Sequence, residues 1–363
     1  MFLLCFSGFI IAAYLIMVFT FIKGWKNIPL NSPLKSEIAQ VNVSVIIALR
    51  DEETNIPGLI QGLKNQKYKD FELILVDDHS TDRTFELLQK EIPNFENAKL
   101  IRSEKSGKKY AITEGIRISN GEFIITTDAD CEQPDTWIQS IVNYFLETKA
   151  DFISAPVCLK SNGSIFGDLQ EAEFLSLTGS GAGAIGIGKS ILCNAANMAF
   201  KRSVWDESYS DLRFESISGD DVFLLLSIKK RKGKIVFLKS EEAIVTTFVK
   251  EKIKDFFIQR TRWSAKSKYY TDRDIVLVSL MVYITCLAQL LLLPLSFYSD
   301  YNFYLFIAFN FLKFAVDLLF LSYINQLYKR KNLFLKAFLL FLVYPFYITI
   351  VATNSFLRNR NQW

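Results

Sequence analysis

Two carboxylates separated by one residue, Asp128 and Asp130, stand where an apolar segment of the chain ends. The preceding run, Glu122 to Thr127, is rich in β-branched and aromatic residues, which predicts a strand with the two acids at its carboxyl end. Carboxylate oxygens are preferred ligands of hard divalent ions such as Mg²⁺ and Mn²⁺, and such an ion neutralises the phosphate charge of a bound nucleotide. Alone, the pattern is weakly specific, because a solvated turn also satisfies it.

A second pair of acids, Asp220 and Asp221, follows Gly219 and precedes the run Val-Phe-Leu-Leu-Leu. One carboxylate of such a pair can remove a proton from a hydroxyl, a contribution of roughly 10² to 10⁴ in rate. The pair also fits the start of a helix, where the dipole stabilises negative charge. The two interpretations are compatible, because an acid at a helix start is held rigidly.

The elements that must position these acids alternate between strands and helices. The predicted strands are 43–49, 71–76, 99–102 and 122–127, and the predicted helices are 55–63, 84–90 and 109–119. This alternation predicts right-handed crossovers and a parallel sheet, whose ligand crevice lies beyond the carboxyl ends of its strands. Asp77 and Asp78 end the second strand and fall at the same edge as Asp128.

A glycine-rich stretch, Gly183 to Ser190, satisfies the phosphate-loop pattern of nucleotide hydrolases. A phosphate loop follows a buried strand, whereas residues 166–177 predict a helix. We therefore expect a flexible segment leading into the run Asn194 to Phe200. In that run Asn197 fits either a ligand contact or a turn before a strand.

Seven basic residues between Lys250 and Lys268 share their stretch with apolar residues at helical spacing. This pattern predicts an amphipathic helix of residues 250–270 at a membrane interface. The same stretch contains Gln259, Arg262 and Trp263. Arginine offers a fork of donors to phosphate, and tryptophan offers a flat face to a sugar ring.

Half of the residues are hydrophobic, and several apolar segments are long enough to cross a bilayer. The first, within residues 1–22, is followed by Lys23 and Lys26, which predicts an uncleaved anchor with the next domain in the cytoplasm. Later apolar segments cover 276–297, 303–324 and 333–353. Pro345 leaves open a kinked or re-entrant last segment. We expect three or four spans, two or three of them within residues 276–354, and a catalytic domain at residues 40–250.

Composition excludes several classes of protein. A net charge of +4 is too small to indicate nucleic-acid binding. With one histidine in the chain and five cysteines without paired metal-ligand spacing, neither a zinc site nor a Ser-His-Asp triad is expected.

Six motifs occur in an order that resembles the family 2 glycosyltransferases. They are Ala48–Asn55 (ALRDEETN), Val76–Asp82 (VDDHSTD), Gly107–Lys108, Thr127–Asp130 (TDAD), Gly219–Asp221 (GDD) and Gln259–Trp263 (QRTRW). The last two place the resemblance near the membrane-embedded branch of cellulose, chitin and hyaluronan synthases and ceramide glucosyltransferase. The resemblance implies an α/β GT-A nucleotide-sugar-binding domain, Rossmann-like, flanked by transmembrane helices.

The resemblance also implies roles for individual residues. Asp221, with Asp220, is the implied catalytic base. The implied metal ligands for Mg²⁺ or Mn²⁺ are Asp128 and Asp130. Nucleotide-sugar contacts are expected from Arg50, Glu53, Asp77, Asp78, Lys108, Asp128 and Arg262, and acceptor contacts from Asn197, Gln259 and Trp263. It stays open which of Asp77 and Asp78 binds the base, and whether Arg50 and Glu53 are only surface charges.

The predicted activity is inverting hexosyl transfer from a nucleotide-sugar, expected to be a UDP-sugar, to a lipid-linked or polysaccharide acceptor at the cell membrane. Glycolipid or polysaccharide synthesis for the cell envelope is the implied process. Two alternatives stay open, a phosphate-loop nucleotide hydrolase and a catalytically silent membrane scaffold. The sequence identifies neither the sugar, nor the acceptor, nor the oligomeric state.

Overall fold

The computed structural model describes residues 2–31, 40–216 and 219–357. The chain divides into two compact units. The first consists of Ile28–Lys160 and Cys193–Phe248, and the second of Met1–Asn27, Ser161–Leu192 and Val249–Trp363. The first unit contains the β-strands, and the second contains the long apolar helices.

The helices are α1 (Phe2–Asn27), α2 (Ile56–Lys64), α3 (Thr84–Glu91), α4 (Lys108–Ile118), α5 (Trp137–Thr148), α6 (Ile165–Gly186), α7 (Arg202–Ser208), α8 (Asp220–Lys230), α9 (Ile253–Ala265), α10 (Arg273–Leu295), α11 (Asp300–Tyr328) and α12 (Leu333–Leu357). The strands are β1 (Val43–Leu49), β2 (Phe71–Asp77), β3 (Ala98–Arg102), β4 (Phe123–Thr126), β5 (Phe152–Ser154), β6 (Val157–Lys160), β7 (Met198–Lys201), β8 (Ile235–Phe237) and β9 (Val245–Phe248).

The main sheet of the first unit has the order β3-β2-β1-β4-β7-β5-β8. Strands β1 to β4 are parallel to one another, as the alternation of strands and helices predicts. Strand β7 runs antiparallel to both β4 and β5. The sheet is therefore mixed rather than wholly parallel, because the chain leaves this unit after β6 and enters β7 from the carboxyl edge of β4.

Burial explains why the central strands form where they do. The runs VSVIIAL of β1 and FELILVD of β2 are almost entirely buried, as expected for strands covered on both faces. Helix α4 packs on these two strands through Ala111, Ile112 and Ile116. Gly115 permits this close packing, because a Cβ atom there would lie 2.6 Å from a methyl carbon of Ile46.

The second unit contains four helices that are long and apolar enough to cross a membrane. They are Leu3–Asn27, Arg273–Leu295, Asp300–Tyr328 and Leu333–Asn354. These helices coincide with the four apolar segments in the sequence. Helix α12 continues through Pro345, so the last segment is one unbroken helix and not a re-entrant loop.

The glycine-rich stretch is not the flexible segment that its composition predicts. Gly183 and Gly186 lie in α6, which packs against α1, α11 and α12. A Cβ atom at Gly24 of α1 would lie 1.9 Å from the carbonyl oxygen of Gly183. The glycines thus bring two helix backbones into contact, a use of small residues that is common in membrane helix pairs. Contacts place Ser161–Leu192 in the second unit, although its numbers fall within the predicted 40–250 domain.

Candidate functional site

The carboxyl ends of four adjacent parallel strands bring the predicted acids of the first unit together. Strand register pairs Leu49 with Asp77 and Asp77 with Arg102. Strand β4 lies on the other side of β1 and leads directly into Asp128. The motifs separated along the chain therefore share one edge of the sheet, as expected for a ligand crevice.

Asp77 and Asp78 form the buried part of this edge. Oδ2 of Asp77 accepts a hydrogen bond of 2.9 Å from Nε of Arg102, and Oδ1 has no hydrogen-bond partner within the described ranges. Oδ1 of Asp78 accepts a bond of 2.8 Å from the backbone N–H of Gly107. Asp77 thus retains one buried acceptor oxygen.

Arg102 is a site residue that the motifs did not reveal. Its guanidinium carbon lies 4.5 Å from the centre of the Phe85 ring while Nε contacts Asp77. The available signal was its place as the last residue of β3, beside the last residue of β2.

Lys108 is the cation that interacts with the remaining acids of this site. Its Nζ atom lies 2.5 Å from Oδ1 of Asp128, and both side chains are about one-third exposed. Burial alone lowers the pKa of Lys108, but the charges of Asp128, Asp220 and Asp221 outweigh it and raise that pKa above its ordinary value. The charges of three carboxylates from two motifs therefore act on one ammonium group.

Asp220 and Asp221 begin α8 directly after Gly219, whose φ of 97° lies in the left-handed region. Asp220 is 7 % exposed, and burial raises its pKa. Lys108 opposes this shift, while Asp221 and Asp128 add to it. Asp221 is more exposed, and one of its oxygens accepts a bond of 2.7 Å from the N–H of Val222. Of the two, Asp221 is the more accessible to a ligand.

Asp128 and Asp130 offer oxygen ligands of the kind that a hard cation prefers. Both side chains are partly exposed, and Asp128 is already paired with a cationic group. Burial and the two aspartates raise the pKa of the Cys131 thiol, so this neighbour stays protonated and is not a thiolate ligand. The described residues contain no group of three or more His, Cys, Asp or Glu side chains arranged to hold a metal. Two carboxylates fit Mg²⁺ or Mn²⁺, which commonly take their other ligands from phosphate and water.

Arg50 and Glu53 lie in the loop after β1. Oε2 of Glu53 accepts a hydrogen bond of 3.1 Å from the N–H of Arg83, and the N–H of Glu53 donates to Asp82. Glu53 thus ties this loop to the loop after β2. The side chain of Arg50 is 37 % exposed and donates a bond of 3.1 Å to Ser106.

Asn197 does not have the sugar-binding geometry considered from the sequence. Its side chain is fully buried. Oδ1 accepts a bond of 2.9 Å from Nε1 of Trp137, and Nδ2 donates bonds of 2.8 Å to the carbonyls of Pro156 and Ala243. The amide is occupied by bonds within the protein, so Asn197 serves the turn before β7.

Gln259, Arg262 and Trp263 lie on α9 of the second unit, and all three are half-buried. The buried residues of this helix are Phe256 and Arg260, and Arg260 is 3 % exposed. Its Nε and Nη2 atoms donate bonds of 2.9 and 2.6 Å to Oε2 of Glu173 on α6.

Arg260 also contacts aromatic rings. Its guanidinium carbon lies 4.2 Å from the centre of the Trp263 ring and 4.8 Å from that of Phe256. Sequence reasoning missed Arg260 because its partner, Glu173, is 87 positions away in the chain. Arg260 therefore supports Trp263 from within the second unit.

Parts of this chain resemble known proteins. The family model described as glycosyl transferase family 2 matches residues 44–206. The chain is 31% identical over 114 residues to a dolichyl N-acetyl-α-D-glucosaminyl phosphate 3-β-D-2,3-diacetamido-2,3-dideoxy-β-D-glucuronosyltransferase of Methanococcus voltae, a match covering 30% of this chain and 35% of that protein. It is 24% identical over 239 residues to the poly-β-1,6-N-acetyl-D-glucosamine synthase of Staphylococcus aureus, covering 64% of this chain and 56% of the synthase. The chain thus spans only about a third to a half of the length of these relatives.

One similar solved structure is that of the mannosyltransferase PcManGT from Pyrobaculum calidifontis, in complex with GDP-Man and Mn²⁺. The TM-score is 0.58 at 14% identity, and the match covers 99% of this chain and 98% of that one. At this identity the likeness concerns the fold, and it confirms the predicted α/β class of GT-A type.

Proposed function

The chain belongs to glycosyl transferase family 2 through its residues 44–206, and from this we propose that it is a membrane-bound inverting glycosyltransferase. The proposed reaction moves a sugar from a nucleotide-sugar to a hydroxyl of a lipid-linked or glycan acceptor. The observation that carries the proposal is the contact of Lys108 with Asp128 at the carboxyl edge of the sheet, where the charges of Asp220 and Asp221 also act on the Lys108 ammonium. A diphosphate leaving group needs cations, and an acceptor hydroxyl needs a base; this edge of the sheet offers both.

The donor nucleotide is proposed to lie along the ends of β1 to β4. Oδ1 of Asp77 is a buried acceptor that the N–H of a base can use, and burial without a ligand leaves it unsatisfied within the described chain. We propose a UDP-sugar as the donor. The mannosyltransferase with a similar fold was solved with GDP-Man, so guanosine diphosphate sugars are the first alternative.

Asp128 and Asp130 are proposed to hold the divalent ion. When bound, Mg²⁺ or Mn²⁺ supplies positive charge that stabilises the phosphate oxygens of the leaving group. Lys108 would then contribute a second positive charge on the same side, since its ammonium already lies against Asp128. In the ion-free chain, Lys108 provides the countercharge that Asp128 requires.

Asp221 is proposed to act as the general base. Its carboxylate takes the proton of the acceptor hydroxyl while the acceptor oxygen forms a bond to the anomeric carbon. The bond between that carbon and the phosphate oxygen breaks, and the electron pair leaves with the nucleoside diphosphate. Direct displacement from the opposite face inverts the anomeric configuration. Asp220, which is more buried, is proposed to support Asp221 and Lys108.

The acceptor is proposed to contact Gln259 and Trp263 on α9, and Arg262 of the same helix is proposed to contact the nucleotide-sugar. The Trp263 ring is contacted by Arg260, and its centre lies 6.3 Å from that of Phe174; the side chain is half-buried, so part of its surface remains accessible. The Methanococcus relative is named for a dolichyl N-acetyl-α-D-glucosaminyl phosphate, which supports a lipid-linked acceptor. The synthase relative supports a polysaccharide as the alternative.

The membrane arrangement is proposed from the charge pattern. Lys23 and Lys26 follow the first apolar helix, and basic residues 329–331 separate the last two. The positive-inside rule then places the first unit, with the catalytic residues, in the cytoplasm. We propose residues 1–22 as the anchor, 40–250 as the catalytic domain, 250–270 as the interfacial helix and 276–354 as the later spans.

The experiment is transfer by the full chain in detergent or native membranes with lipid extract, using UDP- and GDP-sugars and Mn²⁺ or Mg²⁺. Asp221→Asn should abolish transfer, whereas Asp206→Asn, an exposed acid on α7, should leave it intact. A phosphate-loop hydrolase would instead hydrolyse ATP and lose activity on Lys189→Ala. A silent scaffold would consume no donor with any of these proteins. The hydrolase has no support from α6, because Gly183 and Gly186 of the pattern lie inside this helix and not in a loop after a strand.

A further inference from the structure

Three consecutive residues where α4 begins contact three separate segments of the chain. The N–H of Gly107 donates to Asp78, and Nζ of Lys108 contacts Asp128. Nζ of Lys109 donates to the carbonyls of Arg213 and Ser216, just before the Gly219-Asp220-Asp221 motif. The first two contacts belong to the donor side described above, and the third has no role there.

Lys109 is a buried cation that donates to backbone oxygens. It is 5 % exposed, and the bonds to the Arg213 and Ser216 carbonyls measure 2.7 and 2.8 Å. Burying an ammonium group is unfavourable unless its protons are satisfied, so these bonds help to keep the side chain inside. Lys109 therefore fixes the positions of these two carbonyl groups.

The segment that Lys109 contacts is a tight turn. The N–H of Ser216 donates a bond of 3.0 Å to the carbonyl of Arg213. Arg213 has a φ of 53°, a left-handed conformation that a non-glycine residue adopts only when its surroundings enforce it. The hydrogen bond from Lys109 to the Arg213 carbonyl is one such constraint.

Lys109 also contacts the chain after the acidic pair. Its Nζ atom lies 5.0 Å from the centre of the Phe223 ring on α8. Contacts on both sides of Asp220 and Asp221 fix the path of the chain through them. In addition, the positive charge of Lys109 acts to lower the pKa of Asp220.

We propose that Lys109 is a positioning residue for Asp221. By holding the Arg213–Ser216 turn and the Phe223 ring, it sets where the Asp221 carboxylate meets the acceptor hydroxyl. Lys108 and Lys109 therefore have different roles. Lys108 interacts with the charged groups of the donor site, and Lys109 binds the segment that precedes the proposed general base. The effect expected on kcat rests on the proposed function, whereas the effect expected on amide hydrogen exchange rests on the structure alone.

The test compares Lys109→Met with Lys108→Met and with Lys105→Met, an exposed lysine of the same region. Two quantities are measured on the full chain: nucleotide-sugar affinity and the rate of transfer at saturating donor. Lys109→Met should keep donor affinity and lose about 10²-fold in kcat, the loss typical of a reacting group displaced by about 1 Å. Lys108→Met should lose donor affinity, and Lys105→Met should change neither quantity.

A second measurement does not depend on activity. Amide hydrogen exchange of Leu212–Ser216 and Val222–Leu225 should accelerate in Lys109→Met, while exchange in β2 and β4 stays unchanged. Lys109→Arg, which keeps a charge and several donors, should recover part of both effects.

Two results overturn the inference. One is parallel loss of donor affinity and kcat in Lys109→Met, which would make Lys109 a general support of the fold. The other is unchanged exchange in both segments. Accelerated exchange together with a wild-type chain that consumes no nucleotide-sugar would retain the structural link and reject the proposed function instead.

Discussion

Nζ of Lys108 lies 2.5 Å from Oδ1 of Asp128, although the two residues are 20 positions apart in the chain. Lys108 is the first residue of α4, and Asp128 follows β4. The charges of Asp220 and Asp221 also act on this ammonium and help to raise its pKa. One positive group thus balances carboxylates from two motifs. Changes to any of these acids should alter the charge balance of the whole edge.

Asp220→Asn should stabilise the protein at neutral pH. The pKa of Asp220 is raised in the folded state, so the folded chain holds its proton more tightly than the unfolded chain does. Stability therefore falls as the pH rises from the unfolded value of about 3.9 through the raised folded value. Asp220→Asn has no carboxyl group to titrate, so the variant does not lose this stability as the pH rises. Thermal unfolding should show a higher midpoint at pH 7 to 8 and little difference at about pH 3.

Asp206→Asn is the control for this effect, because Asp206 is exposed on α7. Equal behaviour of the two variants across the pH range would mean that Asp220 is not shifted as described.

Removing one partner of the Arg260–Glu173 pair should strongly destabilise the second unit. Both side chains are about 95 % buried, and the hydroxyl of Tyr347 also donates to Glu173. Arg260→Met leaves a buried carboxylate without its main partner, which typically costs roughly 3–5 kcal/mol. The double variant Glu173→Gln/Arg260→Met should be less harmful than Arg260→Met alone. Apparent unfolding midpoints in detergent measure the difference.

The matched comparison is the Lys189–Asp274 pair, which joins an exposed lysine to a half-buried aspartate of the same unit at 2.8 Å. Lys189→Met should change the unfolding midpoint little, because water screens the charge of an exposed lysine. If Arg260→Met is equally mild, the buried pair does not hold α6 and α9 together.

Gly24 and Gly183 should each resist replacement by alanine. The Cβ of Gly24→Ala would lie 1.9 Å from the Gly183 carbonyl oxygen, and that of Gly183→Ala would lie 2.5 Å from the carbonyl oxygen of Phe21. Either methyl group forces α1 and α6 apart, with a cost of about 1–3 kcal/mol that is typical of overpacking. Gly8→Ala on the same helix meets no atom within 4 Å and should be harmless. Unfolding midpoints that do not separate Gly24→Ala from Gly8→Ala would refute the close helix contact.

Asn197→Ala should reduce stability rather than acceptor affinity. The change leaves the indole N–H of Trp137 and two backbone carbonyls without their partner, at roughly 1–3 kcal/mol for each unsatisfied group. The exposed Asn94→Ala should be neutral. The acceptor KM of the folded fraction should stay at the wild-type value. A raised acceptor KM with unchanged stability would instead support the role in sugar binding that the sequence left open.

The central strands and the acidic edge were predictable because their determinants are local. The buried β-branched run of residues 43–49 became β1 with those bounds, and Phe71–Asp77 exceeds the predicted 71–76 by one residue. Parallel order then placed Asp77, Asp78 and Asp128 at one edge. The resemblance to a known family added roles that no single motif carries.

The remaining features depend on partners distant in the chain. Asn197 could be interpreted either way until Trp137, Pro156 and Ala243 were seen around it. The glycines of α6 resemble a loop in composition, and only their contact with α1 explains them. Strand β7 is antiparallel to β4 because the chain passes through the second unit between β6 and β7. The spacing of apolar residues in the sequence does not predict this path.

The release of nucleoside diphosphate from a panel of nucleotide-sugars is the decisive measurement. The full chain in lipid nanodiscs would be tested with Mn²⁺ or Mg²⁺, with a chelator, and as Asp130→Asn beside the Asp206→Asn control. We expect one nucleotide-sugar to be consumed, the chelator to stop consumption, and Asp130→Asn to require a higher metal concentration or to be inactive. Consumption that is indifferent to both the chelator and Asp130→Asn, or no consumption of any donor in the presence of lipid extract, would contradict the proposed transferase.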